Sequence, residues 1–324
     1  MELKHVYPFA AIVGQDDMKT ALMLNVIQPS IGGVLISGEK GTAKTTAVRG
    51  LAALLDGARV IELPVNASED RVVGTINISR VMKDGQKQFE PGLLKEADGN
   101  ILYVDEINLL DDHLVDVLLD SAASGINHVE RDGISFTHSA RFSLVGTMNP
   151  EEGTLRPQLM DRFGLSVSVS SSLAPEERIE VISRRLSFER DPLSFIDRFS
   201  KESSELAEKL KIAKASYSKV CVPDEALDYT AAICSKLNVQ GYRADITIIK
   251  TAAAFAALNE RTKVEEEDIL LAAKFALPHR MKSQPFEDRK LTEDVLKDIS
   301  EQIRESFSNS AGKAGRQTKA AVCQ

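Results

Sequence analysis

The sequence predicts an α/β layer fold followed by an all-helical domain, and three observations predict it. Apolar, β-prone runs alternate with helix-compatible stretches up to about residue 172, the order of a layered α/β protein. The first such run, Gly33-Val34-Leu35-Ile36-Ser37, leads into a glycine-containing loop and then into a helix. From Pro175 onward only helical periodicity is left.

That loop organises the chain. It reads Gly38-Glu39-Lys40-Gly41-Thr42-Ala43-Lys44-Thr45, and Thr46 to Leu55 continue it as a helix. Strand, loop and helix in this order are what a phosphate-binding P-loop needs. Backbone N–H groups from Gly38 to Thr46 face the phosphates, where the helix dipole favours negative charge. Lys44 is placed to reach the β- and γ-phosphates of a bound nucleotide, and the Thr45 hydroxyl to ligate Mg²⁺. Ala43 stands where the pattern has its second fixed glycine. If that position needs a positive φ, alanine costs roughly 1 kcal/mol or more. At a helix start with negative φ the methyl group is tolerable.

Ahead of the loop, Tyr7 to Gly14 precede a helix from about Gln15 to Ile27, with Met18, Ala21, Leu22 and Ile27 near helical spacing. Arg59 to Leu63 read as a second strand. Residues 64–99 are too long for a simple connection and read as an insertion carrying a small hairpin or helix, with a polar turn at Lys83-Asp84-Gly85-Gln86. Ile101 to Glu106 form an apolar strand ending in two acids, as expected of a central parallel strand. An amphipathic helix follows, about Asp111 to Ser124, then a hairpin at 127–136 signalled by Asp132-Gly133. Phe142 to Pro150 and Leu165 to Ser170 are the last strands.

Helical segments are expected near 175–190, 194–218, 223–237, 242–259, 265–277 and 291–307. Pro223 suits a first turn, and Pro278 suits a stop. No Gly/Ser linker separates the halves, so the helical part is expected to pack directly on the α/β part. The expected domains are 1–172 and 173–307, with 308–324 as a disordered tail.

The acid pair Asp105-Glu106, about sixty residues after the P-loop, supplies the rest of the chemistry. Asp105 is placed to hold Mg²⁺ and Glu106 to polarise the attacking water as general base. Asn149, ending the next buried strand, can orient the same water. Arg162 follows that strand by a short loop and can stabilise the transferring phosphoryl group. Arg243 opens a helix, where a cation opposes the dipole unless an anion sits nearby.

Composition narrows the classes. The 324 residues carry 43% hydrophobic and 27% charged side chains and a net charge of −8, which reads as soluble and globular and argues against a general nucleic-acid binder. No run approaches the roughly 18 apolar residues of a membrane span, and no signal segment follows Met1. Cys221, Cys234 and Cys323 lack metal-ligand spacing, which suits a reduced cytoplasmic setting.

Together these residues resemble the ATPase subunit of magnesium chelatase, of the AAA+ clade shared with MoxR-type ATPases. The matching words include Tyr7-Pro8-Phe9, Ile12-Val13-Gly14-Gln15, Glu69 to Thr75, Phe89 to Leu94, Ile101 to Ser124, Asn149 to Gly153 and Leu155 to Leu159. The resemblance spans about residues 7–282. It implies an AAA+ P-loop NTPase core with a parallel sheet and β-hairpin inserts, followed by an all-helical lid domain. It implies Arg162 as an arginine finger lent to a neighbour, Arg243 as the second-domain sensor and Asn149 as the first. It implies a homo-oligomeric, hexameric ring that uses ATP and Mg²⁺. Such rings drive a large porphyrin-binding subunit to insert Mg²⁺ into protoporphyrin IX, with an integrin-domain subunit as bridge. Cobalt chelation and MoxR-type metalloprotein assembly are the related alternatives. A DNA-dependent motor fits poorly, because the 127–136 hairpin sets Arg131 and His128 beside Glu130 and Asp132.

Overall fold

The computed structural model describes residues 5–76, 89–131, 134–170, 174–281 and 293–311. The polar turn at 83–86, the Asp132-Gly133 turn and the tail beyond 311 lie outside them.

Five strands form the central sheet: β1 (Val34–Gly38), β2 (Val60–Leu63), β5 (Ile101–Val104), β8 (Ser143–Met148) and β9 (Leu165–Val169). Their order is β2-β5-β8-β1-β9, and every pairing is parallel. A parallel sheet is covered on both faces, so its strands are apolar on both sides. Side chains alternate accordingly. Val34, Ile36, Ile101, Tyr103 and Val145 join one core, whereas Leu35, Leu102, Val104 and Leu144 join the other.

The first core is closed by helices Asp16–Ile27 and Lys44–Leu54 and by the helical lid; the second by helix Asp112–Ser124. Asp111 caps that last helix, its Oδ1 accepting from the His113 N–H at 2.9 Å, and Gly125 ends it at φ 72°. Lid and α/β layer share one core without a linker, as expected from the absence of Gly/Ser.

The insertion at 64–99 contains both kinds of element. Helix Glu69–Val73 leads into β3 (Gly74–Ile76), which pairs antiparallel with β4 (Phe89–Pro91). The second hairpin pairs β6 (Ile126–Arg131) with β7 (Ile134–Ser139). The two inserts are joined: Phe89 stacks on Phe136 at 4.4 Å between centroids, and Asn127 Nδ2 donates to the Val73 carbonyl at 3.1 Å.

Two helix boundaries differ from expectation. The segment expected at 194–218 is two helices, Pro192–Arg198 and Ser200–Ser216, broken at Phe199. The break seats Phe195 between Tyr7, Phe188 and Phe199, at centroid separations of 5.2, 5.6 and 5.0 Å. Aromatic packing across chain segments outweighs local helix periodicity there. The final helix runs Glu293–Ala311, into the stretch expected as tail.

Candidate nucleotide site

Strand β1 delivers the P-loop, and two glycines allow it. A Cβ on Gly38 would lie 2.3 Å from the Val169 carbonyl oxygen, so only glycine lets the end of β1 run against β9. Gly41 has φ 85°, the left-handed region that glycine enters freely. Ala43 also lies there, at φ 61° and ψ 17°, as N-cap of helix Lys44–Leu54. Of the two possibilities open for Ala43, the strained one is realised. Thr42 ties the loop across itself, its hydroxyl donating to the Glu39 carbonyl at 2.9 Å.

The cleft beside this loop has a volume of about 910 Å³. Lys40 through Thr46, Asp105, Glu106 and Asn149 line it, so strand ends β1, β5 and β8 converge on one place. Lys44 Nζ donates to the carbonyls of Gly38 (2.5 Å) and Glu39 (3.0 Å), which keeps the ammonium inside the loop. Partial burial lowers its pKa, opposed by Asp105, Glu106 and Glu152.

Beneath the lysine runs a chain of oxygen atoms. Thr45 Oγ1 and the Tyr103 hydroxyl are 2.8 Å apart. The Tyr103 hydroxyl donates to Asp105 Oδ1 at 3.0 Å, and Thr147 Oγ1 donates to the same oxygen at 2.5 Å. Burial pushes the Tyr103 phenol up to about 12, so it stays a neutral donor. Hard oxygen donors of this kind fit Mg²⁺. Among the described residues no cluster of three or more acidic, histidine or cysteine side chains could cage a metal. Thr45 and Asp105 are the side chains here that could hold a Mg²⁺ ion bound together with phosphate.

Glu106 sits at φ 52°, a conformation that costs a non-glycine residue about 1 kcal/mol or more. Its backbone N–H donates to Thr147 Oγ1 at 3.2 Å, which holds the turn. Lys40 Nζ lies 3.5 Å from Glu106 Oε1 and 2.5 Å from Glu152 Oε1. Hydrogen bonding to Glu152 raises the Lys40 pKa and, reciprocally, lowers that of Glu152. Asn149 is buried, its Oδ1 accepting from the Glu151 N–H at 3.3 Å, which leaves the amide NH₂ to address a ligand.

Two expected site residues stand elsewhere. Arg162 is clamped by Asp116 and by Asp120 (3.0 Å) on helix Asp112–Ser124. Arg243 lies 3.5 Å from Asp161, the residue before Arg162. Neither arginine lines the chain's own cleft. Gly38 and Glu39 meet it only through the carbonyls that hold Lys44.

The sequence reading missed part of the cleft. Tyr7, Ile12, Val13, Val181 and Ile182 give the cleft an apolar wall, and Arg178 and Arg185 also line it. Tyr103 and Thr147 were legible only as buried strand residues. Their hydroxyls face Asp105 because alternation in β5 and β8 brings them to one side of the sheet.

A parallel sheet of order β2-β5-β8-β1-β9, a P-loop after β1, an acid pair at the end of β5 and a helical lid define an AAA+ P-loop ATPase. Residues 33–163 match the AAA domain family of the dynein-related subfamily, and residues 227–299 match the AAA lid domain family. The chain is 45% identical to a magnesium-chelatase subunit ChlI homolog of Methanocaldococcus jannaschii, covering 94% of this chain and 93% of that one. It is 44% identical to the magnesium-chelatase 38 kDa subunit of Rhodobacter capsulatus, over 92% and 94%. An uncharacterized protein of Mycobacterium tuberculosis is 54% identical over 90% of this chain, which spans about half (47%) of that relative's length.

The chain belongs to the ChlI family of magnesium-chelatase subunits. Among solved structures, a cryo-EM-based complex between subunits BchI and BchD of magnesium chelatase matches at 44% identity and TM-score 0.51, covering 90% of this chain and all of that one. A crystal structure from Cytophaga hutchinsonii, 20% identical with TM-score 0.63 over 90% of both chains, shares the fold alone.

Proposed function

We propose that this chain is the ATP-hydrolysing motor of a metal chelatase, driving a partner subunit to insert Mg²⁺ into protoporphyrin IX. The observation that carries the reading is a full hydrolytic set, Lys44, Thr45, Asp105, Glu106 and Asn149, around one cleft in a chain of the ChlI family. ATP lies with its phosphates over the P-loop and its base against the wall of Tyr7, Ile12 and Val13. Thr45 and Asp105 would hold Mg²⁺, which when bound would supply positive charge to the phosphates. Lys44 holds the β- and γ-phosphates. Glu106 takes a proton from the attacking water, and Asn149 orients that water.

The two arginines complete the site from outside. Arg162 and Arg243 flank Asp161, away from the chain's own cleft, so each serves the nucleotide of an adjacent copy. That reading suits a ring, of six subunits by family resemblance. One solved relative is a complex of BchI with BchD, which supports a chelatase partner here; by family resemblance that partner is an integrin-domain bridge, with a large porphyrin-binding subunit beyond it. Among the described residues no helix is long and apolar enough to cross a membrane. The joined β3–β4 and β6–β7 hairpins are the surface offered to partners or the ring pore.

Reconstitution tests the reading. Purified chain, the two partner subunits, Mg²⁺, ATP and protoporphyrin IX should together yield the fluorescence of the magnesium porphyrin. Normal ATP hydrolysis without metalation, or insertion of cobalt instead, would assign the motor to another client.

A further inference from the structure

Lys40 is a P-loop residue that the phosphate chemistry does not require, since Lys44 already supplies the lysine. Its ammonium nevertheless lies between two carboxylates from different elements. Glu152 Oε1 is 2.5 Å away and Glu106 Oε1 3.5 Å away. Glu152 is presented by a single turn, Pro150–Glu152, directly after β8. That turn is fixed at both ends of Asn149: the Glu151 N–H donates to its side chain, and the Glu152 N–H donates to its carbonyl at 3.0 Å. The acceptor for Lys40 is thus anchored to the rigid end of a buried strand.

The two distances differ in consequence. At 2.5 Å Glu152 takes a full charge-assisted hydrogen bond from the ammonium, whereas at 3.5 Å Glu106 is outside the range of a good one. A carboxylate engaged by a lysine has its lone pairs turned to the ammonium and not to a water molecule. We propose that Glu152 is a positioning residue for hydrolysis: it holds Lys40 off Glu106 and so leaves that carboxylate to accept the proton of water. Removing the Glu152 charge frees Lys40 to close on Glu106, the nearest carboxylate left to it.

The inference rests on Glu106 as the base, and the test separates the two. Glu106→Gln is assayed in parallel; normal hydrolysis in that variant removes the base itself, whatever Glu152 does. The test of the proposal is a double-mutant cycle with Glu152→Gln and Lys40→Met, read as kcat and KM for ATP and as the affinity for a fluorescent ATP analogue. Glu152→Gln alone should lower kcat about tenfold while the analogue still binds, which also shows that the variant folds. In the Lys40→Met background the same substitution should cost little, because no ammonium remains to close on Glu106. Glu152→Asp, which keeps the charge, should retain most of the rate. An equal loss from Glu152→Gln in both backgrounds, or none in either, overturns the proposal.

Discussion

Arg280 of the lid donates from Nη2 to the Phe163 carbonyl at 2.6 Å, one residue beyond Arg162. The same guanidinium bonds the carbonyls of Asp161 and Gly164, so it holds both sides of Arg162. Burial lowers its pKa to about 10 without neutralising it. The second domain thereby sets the position of the arginine carried by the first. Arg280→Met should leave several buried carbonyls unpaired and cost about 2–4 kcal/mol, read from urea unfolding. Arg162 should then be misplaced, and the ATPase rate should fall at temperatures where the variant is still folded. A stable variant with normal turnover would make the clamp incidental.

The left-handed backbone at Ala43 yields a second prediction. Its φ of 61° opposes the β-carbon, so Ala43→Gly should raise stability by about 1 kcal/mol. Thermal unfolding checks the sign. Because the loop geometry is unchanged, the affinity for ATP should stay within about twofold. A destabilised glycine variant would mean that alanine's restriction of the unfolded chain outweighs the strain.

Subunit mixing tests the roles proposed for Arg162 and Lys44. Arg162→Ala and Lys44→Ala should each be inactive alone, since a finger arginine is worth on the order of 10³-fold in turnover. Mixed, the Arg162→Ala copy has an intact P-loop and can receive the arginine of a Lys44→Ala neighbour. Part of the ATPase rate should return, rising with protein concentration. No recovery in mixed rings confirmed by mass would place the arginine's action within its own chain.

His279 gives a pH prediction. Its Nε2–H donates to the Phe163 carbonyl at 2.9 Å, and burial beside Arg280 pushes the imidazole down to about 3. The folded state holds it neutral, whereas the unfolded chain protonates it near its ordinary 6.5. Its contribution to stability is therefore complete above that value and is lost as pH falls towards 3. Between pH 7 and pH 5 the loss is about 2 kcal/mol. His279→Gln keeps an N–H donor without the titration, so its stability should fall less than wild type over that interval in urea melts. Parallel slopes would show that His279 is not buried neutral.

The residues that bring Lys44, Thr45, Asp105 and Glu106 together were legible in the sequence. A phosphate loop follows its strand directly, and a buried parallel strand puts its last residues at the sheet's carboxyl edge, where β1 and β5 both end. The two-core layering was equally legible, since apolar residues on both sides of a strand leave few alternatives. Long-range geometry was not. That Glu152 reaches Lys40 and that Arg280 grips the loop of Arg162 depend on contacts between segments up to 119 positions apart. No local spacing encodes such contacts. The break at Phe199 has the same origin, because helix propensity there is worth tenths of a kcal/mol per residue and an aromatic cluster is worth more. Arg162 shows the division most plainly: its sequence context resembles a finger lent to a neighbour, but only the folded chain shows what holds it outside its own cleft, the carboxylates of Asp116 and Asp120.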